Sequence, residues 1–118
     1  MPASNHFIGN FTFLNLNQLY RPAMSDDELY QAARQAWRVA TWRRAKVRYA
    51  AAVHDGSIRA VYAVGRWRLC LVPELLGRWK FDRISRSSGD FGHLIGQSSA
   101  PYMPRGARCA VQYNFTGL

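Results

Sequence analysis

The sequence has few acidic residues, only two cysteines and no long apolar run, and each shortage excludes a class of protein. Seven Asp and Glu leave few carboxylates for a metal-dependent nuclease, which gathers several of them around its ion. The two cysteines lack the close spacing of zinc ligands and allow one disulfide at most. No apolar run approaches the roughly 20 residues that a membrane span needs. We therefore predict no metal, no other cofactor and no membrane partner.

Targeting and catalytic patterns are missing as well. Residues 1–19 lack the charged start and the apolar stretch of a secretory signal peptide, so we expect a cytoplasmic protein with Cys70 and Cys109 as free thiols. The chain contains neither a nucleophile elbow nor a glycine-rich phosphate loop. The sequence therefore favours a binding protein over an enzyme.

The most prominent feature of the composition is its excess of positively charged residues. The 118 residues fit one domain spanning 1–118, and their 48 % apolar content allows a folded core. Sixteen Lys and Arg give a net charge of +9, and fourteen of the sixteen are Arg. A guanidinium offers phosphate a planar fork of donors and also stacks on rings, which an ammonium group does not do as well. This composition indicates nucleic acid as the partner, the alternative being a generally basic surface.

A complete helix start lies near residue 25. Ser25 is a suitable N-cap, and Glu28 stands three residues later, as in a capping box. Asp26 and Asp27 complete an acidic first turn, where the helix dipole favours negative charge. We predict a helix from about 25 to 40 and a structural, non-catalytic role for these three acids.

The rest of the chain is predicted to form a strand meander. Asp55-Gly56 is a strong hairpin signal between two β-like runs, and residues 85–92 are predicted as a loop. The pattern indicates an α+β domain in which one N-terminal helix packs on a curved, barrel-like, mostly antiparallel β-sheet. The predicted strands are 10–17, 47–54, 57–64, 66–72, 78–84, 93–98 and 109–115.

One four-residue unit occurs twice: Gly-Arg-Trp-Arg at 65–68 returns as Gly-Arg-Trp-Lys at 77–80. Because side chains alternate along a strand, the tryptophans should share one face with Leu69, Leu71 and Phe81. Each Trp is predicted either to fill the core or to show one edge to a pocket where a base stacks. The cations should share the opposite surface and hold phosphates. That surface is predicted from Arg66, Arg68, Arg78 and Lys80.

These patterns predict a nucleic-acid-binding module with an Arg-rich face for phosphates and an aromatic pocket for a single splayed-out base. Arg34 and Arg38 on the helix and Arg43 and Arg44 in the basic run after it join the candidate phosphate-binding residues. The candidate base-stacking residues are Trp37, Trp42, Trp67 and Trp79.

The order of elements resembles the PUA-like superfamily, which includes the ASCH, EVE and YTH domains. The likeness covers about residues 25–115. It rests on a helix containing "AW", a basic link, "YAAAVHDGSIRAVYAV", "GRWKF" and the late "AVQYNF". The resemblance implies binding of RNA or DNA, often at a modified or flipped base in an aromatic cage. It carries over no individual residue.

Two other functions stay open. A metal-independent ribonuclease of the toxin type needs an acid, a base and a cation, which His54, His93 and the arginines could supply. A module of a defence or nuclease system that docks on an effector protein would use the same basic surface for an acidic partner.

Overall fold

The computed structural model describes residues 10–16, 19–34, 37–84, 89–100 and 111–114. Two helices and five strands lie in these ranges, together with two 3₁₀ segments, Pro73–Leu75 and Gly89–Leu94. The elements in chain order are β1 (Phe11–Asn15), α1 (Asp26–Ala33), α2 (Thr41–Lys46), β2 (Tyr49–His54), β3 (Ser57–Leu69), β4 (Trp79–Arg83) and β5 (Val111–Asn114).

The strands form one sheet in the order β4-β3-β2-β1-β5. β1 runs parallel to β2, and the three other neighbouring pairs are antiparallel. The α+β class and the mostly antiparallel sheet are therefore confirmed. The barrel is not confirmed, because the outer strands β4 and β5 do not pair with each other within the described ranges.

Helix α1 begins as its sequence predicts. The backbone N–H of Glu28 donates to the Ser25 hydroxyl at 3.2 Å, and the Ser25 N–H donates to the Glu28 carboxylate at 2.9 Å. The Ser25 backbone N–H, and after it the Ser25 side chain, stabilise the Glu28 carboxylate and lower the pKa of Glu28 below its ordinary value. Asp27 forms an ion pair of 3.2 Å with Arg83, which ties the first turn of α1 to the end of β4. Asp27 and Glu28 thus have structural roles in the first turn.

The predicted helix of about 25 to 40 is too long. α1 ends at Ala33 because the chain beyond it pairs with β4. The Arg34 carbonyl accepts from the Phe81 N–H at 2.9 Å, and Trp37 and Trp79 exchange two backbone bonds of 3.0 and 2.8 Å. The chain turns helical again only at α2.

Apolar side chains pack on both sides of the sheet. One side, which we call the helix face, packs against α1, and the other, which we call the opposite face, packs against the Gly89–Leu94 segment. The two sides follow from alternation along β1. The helix face includes Leu14, Leu16, Tyr30, Ala33, Trp37, Val47, Ala52, Tyr62 and Phe81, and the opposite face includes Phe11, Phe13, Ala51, Val53, Ile58, Val61 and Leu94.

The predicted Asp55-Gly56 turn is confirmed. Both residues have the left-handed backbone that a two-residue hairpin turn requires, with φ of 53° and 75°. The predicted strands 57–64 and 66–72 form one continuous strand, β3, which ends three residues early, at Leu69. A bulge at Gly65 bends β3, and a Cβ there would lie 3.2 Å from the Asp82 carbonyl oxygen. Glycine at 65 thus lets β4 approach closely.

Other strand predictions need adjustment. Residues 93–98 do not form a strand, because the chain stays in a 3₁₀ turn through Leu94 and then takes a left-handed φ of 92° at Gly96. From this stretch only a bridge between Ser57 and Ser98 is sheet-like. The outer residues of the predicted strands 10–17 and 109–115 lie partly outside the described ranges, as does the first part of the predicted loop 85–92.

Two further findings concern the cysteines and the membrane. Cys70 is a buried free thiol, whereas Cys109 lies outside the described residues. Within the described part of the chain, no helix has the length and apolar character needed to cross a membrane.

Candidate nucleic-acid interface

The pairing of β3 with β4 brings the repeated cations to one side of the sheet. The register sets Arg66 opposite Asp82 and Arg68 opposite Lys80, and residues opposite each other in a ladder point to the same face. Arg78 extends this row, since its carbonyl accepts from the Cys70 N–H at 3.0 Å. Trp67 and Phe81 alternate with the row and point to the helix face. We call the surface formed by Arg66, Arg68, Arg78, Lys80 and Asp82 the ladder face.

Asp82 organises three arginines. Its carboxylate accepts from Arg66 Nε at 2.9 Å, from Arg68 Nη2 at 3.0 Å and from Arg34 Nη2. Arg34 also donates to the Phe81 carbonyl at 3.0 Å. Its side chain is only 11 % exposed, so its predicted role in holding phosphate gives way to a role in bracing β4.

These contacts also set the ionisation of the carboxyl group. Partial burial acts to raise the pKa of Asp82, but the hydrogen bonds from Arg66, Arg68 and Arg34 outweigh burial and lower the pKa. Asp82 therefore stays ionised at neutral pH. Arg66 and Arg68 remain largely exposed, and each uses few of its five N–H donors on Asp82. The ladder face thus carries four cations, two of them oriented, against one carboxylate.

The four tryptophans occupy different surroundings. Trp37 is buried, and its indole N–H donates to the Ala33 carbonyl at 2.6 Å. Trp67 is half-buried, packs edge-on against Phe81 at 5.6 Å and has a buried indole N–H without a partner in the part of the chain that the structure describes. Trp79 is half-buried under the Arg44 guanidinium, 3.6 Å from its ring centroid. These three are chiefly packing residues of the helix face.

Trp42 differs from the other three. It is 53 % exposed at the start of α2, with the Arg43 guanidinium 4.9 Å from its ring centroid. It is the tryptophan whose ring a base could reach without rearrangement. Leu69 lies opposite Trp79 and so shares the face of Trp67 as predicted, although it is 41 % exposed. The same prediction for Leu71 is wrong: Leu71 is 84 % exposed, because β3 ends at Leu69 and the chain leaves the sheet.

Of the remaining predicted cations, Arg44 does not join the ladder face. Arg44 stacks on Trp79, donates to the Val39 carbonyl and bonds the Thr41 hydroxyl at 3.1 Å. Because Trp79 and Lys80 point to opposite sides of β4, Arg44 belongs to the helix-face side. The Arg43 guanidinium lies over the exposed Trp42 ring. Arg38 is exposed and lies beside the turn at Gly77, where its Nη1 would be 3.7 Å from an added Cβ.

The two histidines of the ribonuclease hypothesis lie on opposite sides of the sheet. His54 stacks on Tyr20 at 4.7 Å, and Tyr20 packs against the helix-face core. His93 is exposed, 6.4 Å from Phe91, which packs against the opposite-face core. The fold therefore does not bring them together as an acid and base pair.

A cleft of about 230 Å³, which the sequence did not predict, lies between α1 and β3. β4 pairs with β3 only from Val64 onwards, while the 97–98 stretch pairs with Ser57 and Ile58. The cleft follows the edge of β3 between these two partners. It is lined by Asp26, Leu29, Arg59, Ala60, Val61, Tyr62, Arg83 and Ile95.

Two of the lining residues contain a buried donor without a hydrogen-bond partner among the described residues: the Tyr62 hydroxyl and Arg59 Nε. Burial raises the pKa of Tyr62 far above its ordinary value, which keeps the hydroxyl protonated and able to donate. No local sequence pattern marks these residues. They come together because β4 is too short to cover the first half of β3.

No cluster of three or more His, Cys, Asp or Glu that could hold a metal ion occurs in the part of the chain that the structure describes. Comparisons with protein-family models, with curated proteins and with solved structures found no match.

Proposed function

We propose that this protein is a non-enzymatic nucleic-acid-binding module whose ladder face holds the phosphate backbone. The register of β3 and β4 supports the proposal, because it sets Arg66 and Arg68 on one side of the sheet with Lys80. The backbone bond from Cys70 to Arg78 continues this pairing toward Arg78. A row of cations along two strands suits a linear polyanion better than a single small anion. Asp82 supports this reading, since it fixes two guanidiniums and leaves further donors for phosphate oxygens.

Contacts of this kind give affinity that depends on salt. Each neutralised phosphate releases counterions and adds about 0.9 to the slope of log K against log salt for duplex DNA, or about 0.7 for single strands. Bases add stacking on aromatic rings, and Trp42 is the candidate platform because its ring is the most exposed of the four. An aromatic pocket for a base, a barrel-like curvature of the sheet and membership of the PUA-like superfamily stay finer predictions within this proposal.

The test is a fluorescence titration of the protein with short RNA and DNA oligonucleotides at two salt concentrations. We expect tight binding at low salt, a steep loss of affinity at high salt and quenching of tryptophan emission. Absence of binding to both polymers at low salt would refute the proposal. Binding without quenching would support phosphate contacts at the ladder face but would exclude stacking of a base on Trp42.

A matched pair of variants assigns the binding to the ladder face. Lys80→Gln removes one cation of the row and should lower the salt slope by about 0.7 to 0.9. Arg21→Gln removes an exposed cation that instead pairs with Glu28 at 3.3 Å before α1, and it should leave the slope unchanged. Equal effects of the two variants would mean that overall charge, rather than the ladder face, determines binding.

Docking on an effector protein is the second candidate function, and one observation favours it. The connection between β3 and β4 exposes three apolar side chains, Leu71, Val72 and Leu76. Exposed apolar side chains that cluster mark contact surfaces in many proteins. If an effector is found, competition with an oligonucleotide separates the two candidates: a shared ladder face gives mutual exclusion, whereas a contact at these three residues leaves both partners bound.

A further inference from the structure

The connection between β3 and β4 exposes a cluster of apolar side chains. Of the eight large apolar side chains that are exposed in the described ranges, four lie within residues 69–76. Leu71 is 84 % exposed, Leu76 65 % and Val72 48 %. Exposed apolar side chains that stand singly are ordinary, whereas a cluster of them marks a surface that contacts a partner. We call residues 71–77 the apolar loop.

Backbone hydrogen bonds hold the apolar loop in a defined shape. The Leu75 N–H donates to the Val72 carbonyl at 2.9 Å, and the Arg78 N–H donates to the Leu75 carbonyl at 3.0 Å. Pro73 has no N–H that would need an acceptor. A backbone donor that is bonded internally can approach an apolar environment without losing a hydrogen bond to water. The loop therefore meets part of the requirement for contact with an apolar partner.

Cations stand at the base of the apolar loop. Arg68 and Lys80 lie opposite each other on β3 and β4, within about 10 Å of the loop along either strand at about 3.3 Å per residue. Arg38 lies beside the end of the loop, since a Cβ on Gly77 would be 3.7 Å from its Nη1. Glu74 is the one acidic residue of the loop. The apolar side chains are thus bordered by three cations and one carboxylate.

Charge and shape decide which partner suits the apolar loop. A second copy of this chain would bring its own net charge of +9 and the same cations to a self-complementary contact, which is repulsive. A partner protein would need a pocket that matches a loop protruding from the end of the sheet. An anionic lipid surface needs no such pocket, because apolar side chains enter between its headgroups while nearby cations meet its phosphates. The combination therefore favours lipid.

We propose that the apolar loop docks on an anionic lipid surface. Leu71 and Leu76 enter the interface, and the three cations at the base of the loop pair with lipid phosphates. Such a contact lies at the surface and does not need the spanning run whose absence led to the prediction of no membrane partner. Glu74 keeps the contact shallow, because a carboxylate is costly to bring below the headgroups. The proposal does not depend on the proposed nucleic-acid-binding function.

The experiment is sedimentation of the full chain with vesicles of phosphatidylcholine and with vesicles of an equal mixture of phosphatidylcholine and phosphatidylglycerol. We expect saturable binding to the mixed vesicles and little binding to the neutral ones. Leu71→Ser should weaken binding to the mixed vesicles about tenfold, as expected when one leucine is no longer buried on binding. Glu74→Gln should strengthen it about fivefold, because it removes a charge that the lipid phosphates repel.

Ile84→Ser is the matched control for Leu71→Ser. Ile84 is 70 % exposed and follows β4 at the end away from the apolar loop, so the same change of polarity there should leave vesicle binding unchanged. Both variants replace exposed side chains and should keep the melting temperature of the wild type. Both should also keep its oligonucleotide affinity, which separates a loss of lipid contact from damage to the fold.

The other outcomes separate this inference from the proposed function. Equal binding of wild type and Leu71→Ser to the mixed vesicles would overturn the inference, because charge alone would then account for the contact. If oligonucleotides bind but the mixed vesicles do not, the inference fails, the proposed function stands and the apolar loop is left to the effector protein of the second candidate function. If vesicle binding depends on Leu71 while oligonucleotides do not bind, the inference stands and the proposed function fails.

Discussion

Replacing Asp82 by Asn should weaken the fold and strengthen nucleic-acid binding in one step. The substitution keeps the shape of the side chain but removes the charge that holds Arg34, Arg66 and Arg68. Breaking a fully buried ion pair costs about 3–5 kcal/mol, whereas an exposed pair contributes about 0–1 kcal/mol. Arg34 is 11 % and Asp82 23 % exposed, so we expect an intermediate loss of about 2 kcal/mol.

For a chain of this size, that loss corresponds to a melting temperature about 8 °C lower. The same substitution removes the carboxylate from the ladder face. One charge pair at 4 Å in water amounts to about 1 kcal/mol, so oligonucleotide affinity at low salt should rise roughly fivefold. The gain should disappear at high salt, where exposed charges are screened.

Asp55→Asn supplies the matched control. It makes the same change of charge in the hairpin turn, roughly 30 Å along β3 from the ladder face at about 3.3 Å per residue. Asn tolerates the left-handed backbone of Asp55 as well as Asp does. If Asp82→Asn melts no lower than Asp55→Asn, the organising role of Asp82 is refuted. If both variants gain affinity equally, the gain reflects net charge and the ladder face is not the phosphate surface.

The stability lost in Asp82→Asn should also depend on pH with a definite sign. The folded-state pKa of Asp82 is lowered, so its contribution is present above the unfolded value of about 4. It is lost as pH falls through the lower folded-state pKa. Unfolding free energies of wild type and variant, measured by denaturant titration, should therefore converge at acid pH. A difference that stays constant from neutral to acid pH would contradict an electrostatic origin.

Three further substitutions test separate parts of the structure. Ser25→Ala should cost about 1 kcal/mol of unfolding free energy through loss of the cap and leave oligonucleotide affinity unchanged in the folded protein; a large affinity loss would refute the purely structural role. Gly65→Ala should cost about 1–2 kcal/mol, because the added methyl group crowds the β4 backbone; an unchanged unfolding curve would show that β4 yields without cost. Trp42→Ala should weaken single-strand binding by about 1–3 kcal/mol with little change in melting temperature. Trp37→Ala, which removes a buried side chain, should instead lower the free energy of unfolding by about 3–5 kcal/mol. If Trp42→Ala lowers stability without weakening binding, stacking of a base on Trp42 is excluded.

The features that local sequence determines were the ones that could be predicted. The capping box at Ser25 and the left-handed pair Asp55-Gly56 each need only neighbouring residues, and both occur where the sequence indicates. Alternation likewise predicted that Arg66, Arg68 and Lys80 would point the same way once the two strands pair.

The features that depend on distant partners could not be predicted. Trp37 continues the helical pattern of α1 in the sequence, but β4, more than forty residues later, offers it backbone bonds instead. The helical pattern of the sequence predicts Arg34 as an exposed cation, but in the fold its side chain is largely buried and paired with Asp82. The cleft at Tyr62 arises from the offset between β3 and β4, which no stretch of sequence encodes by itself.

The pairing of residues 34 and 37 with β4 also bears on how the protein avoids self-association. An uncovered strand edge presents backbone donors and acceptors that another chain can extend into an aggregate. Had α1 continued to residue 40, as its local pattern favours, the outer edge of β4 would have been open in this way. The early end of the helix therefore protects the edge, and conditions that lengthen helices, such as fluorinated alcohols, should make the protein aggregate rather than stabilise it.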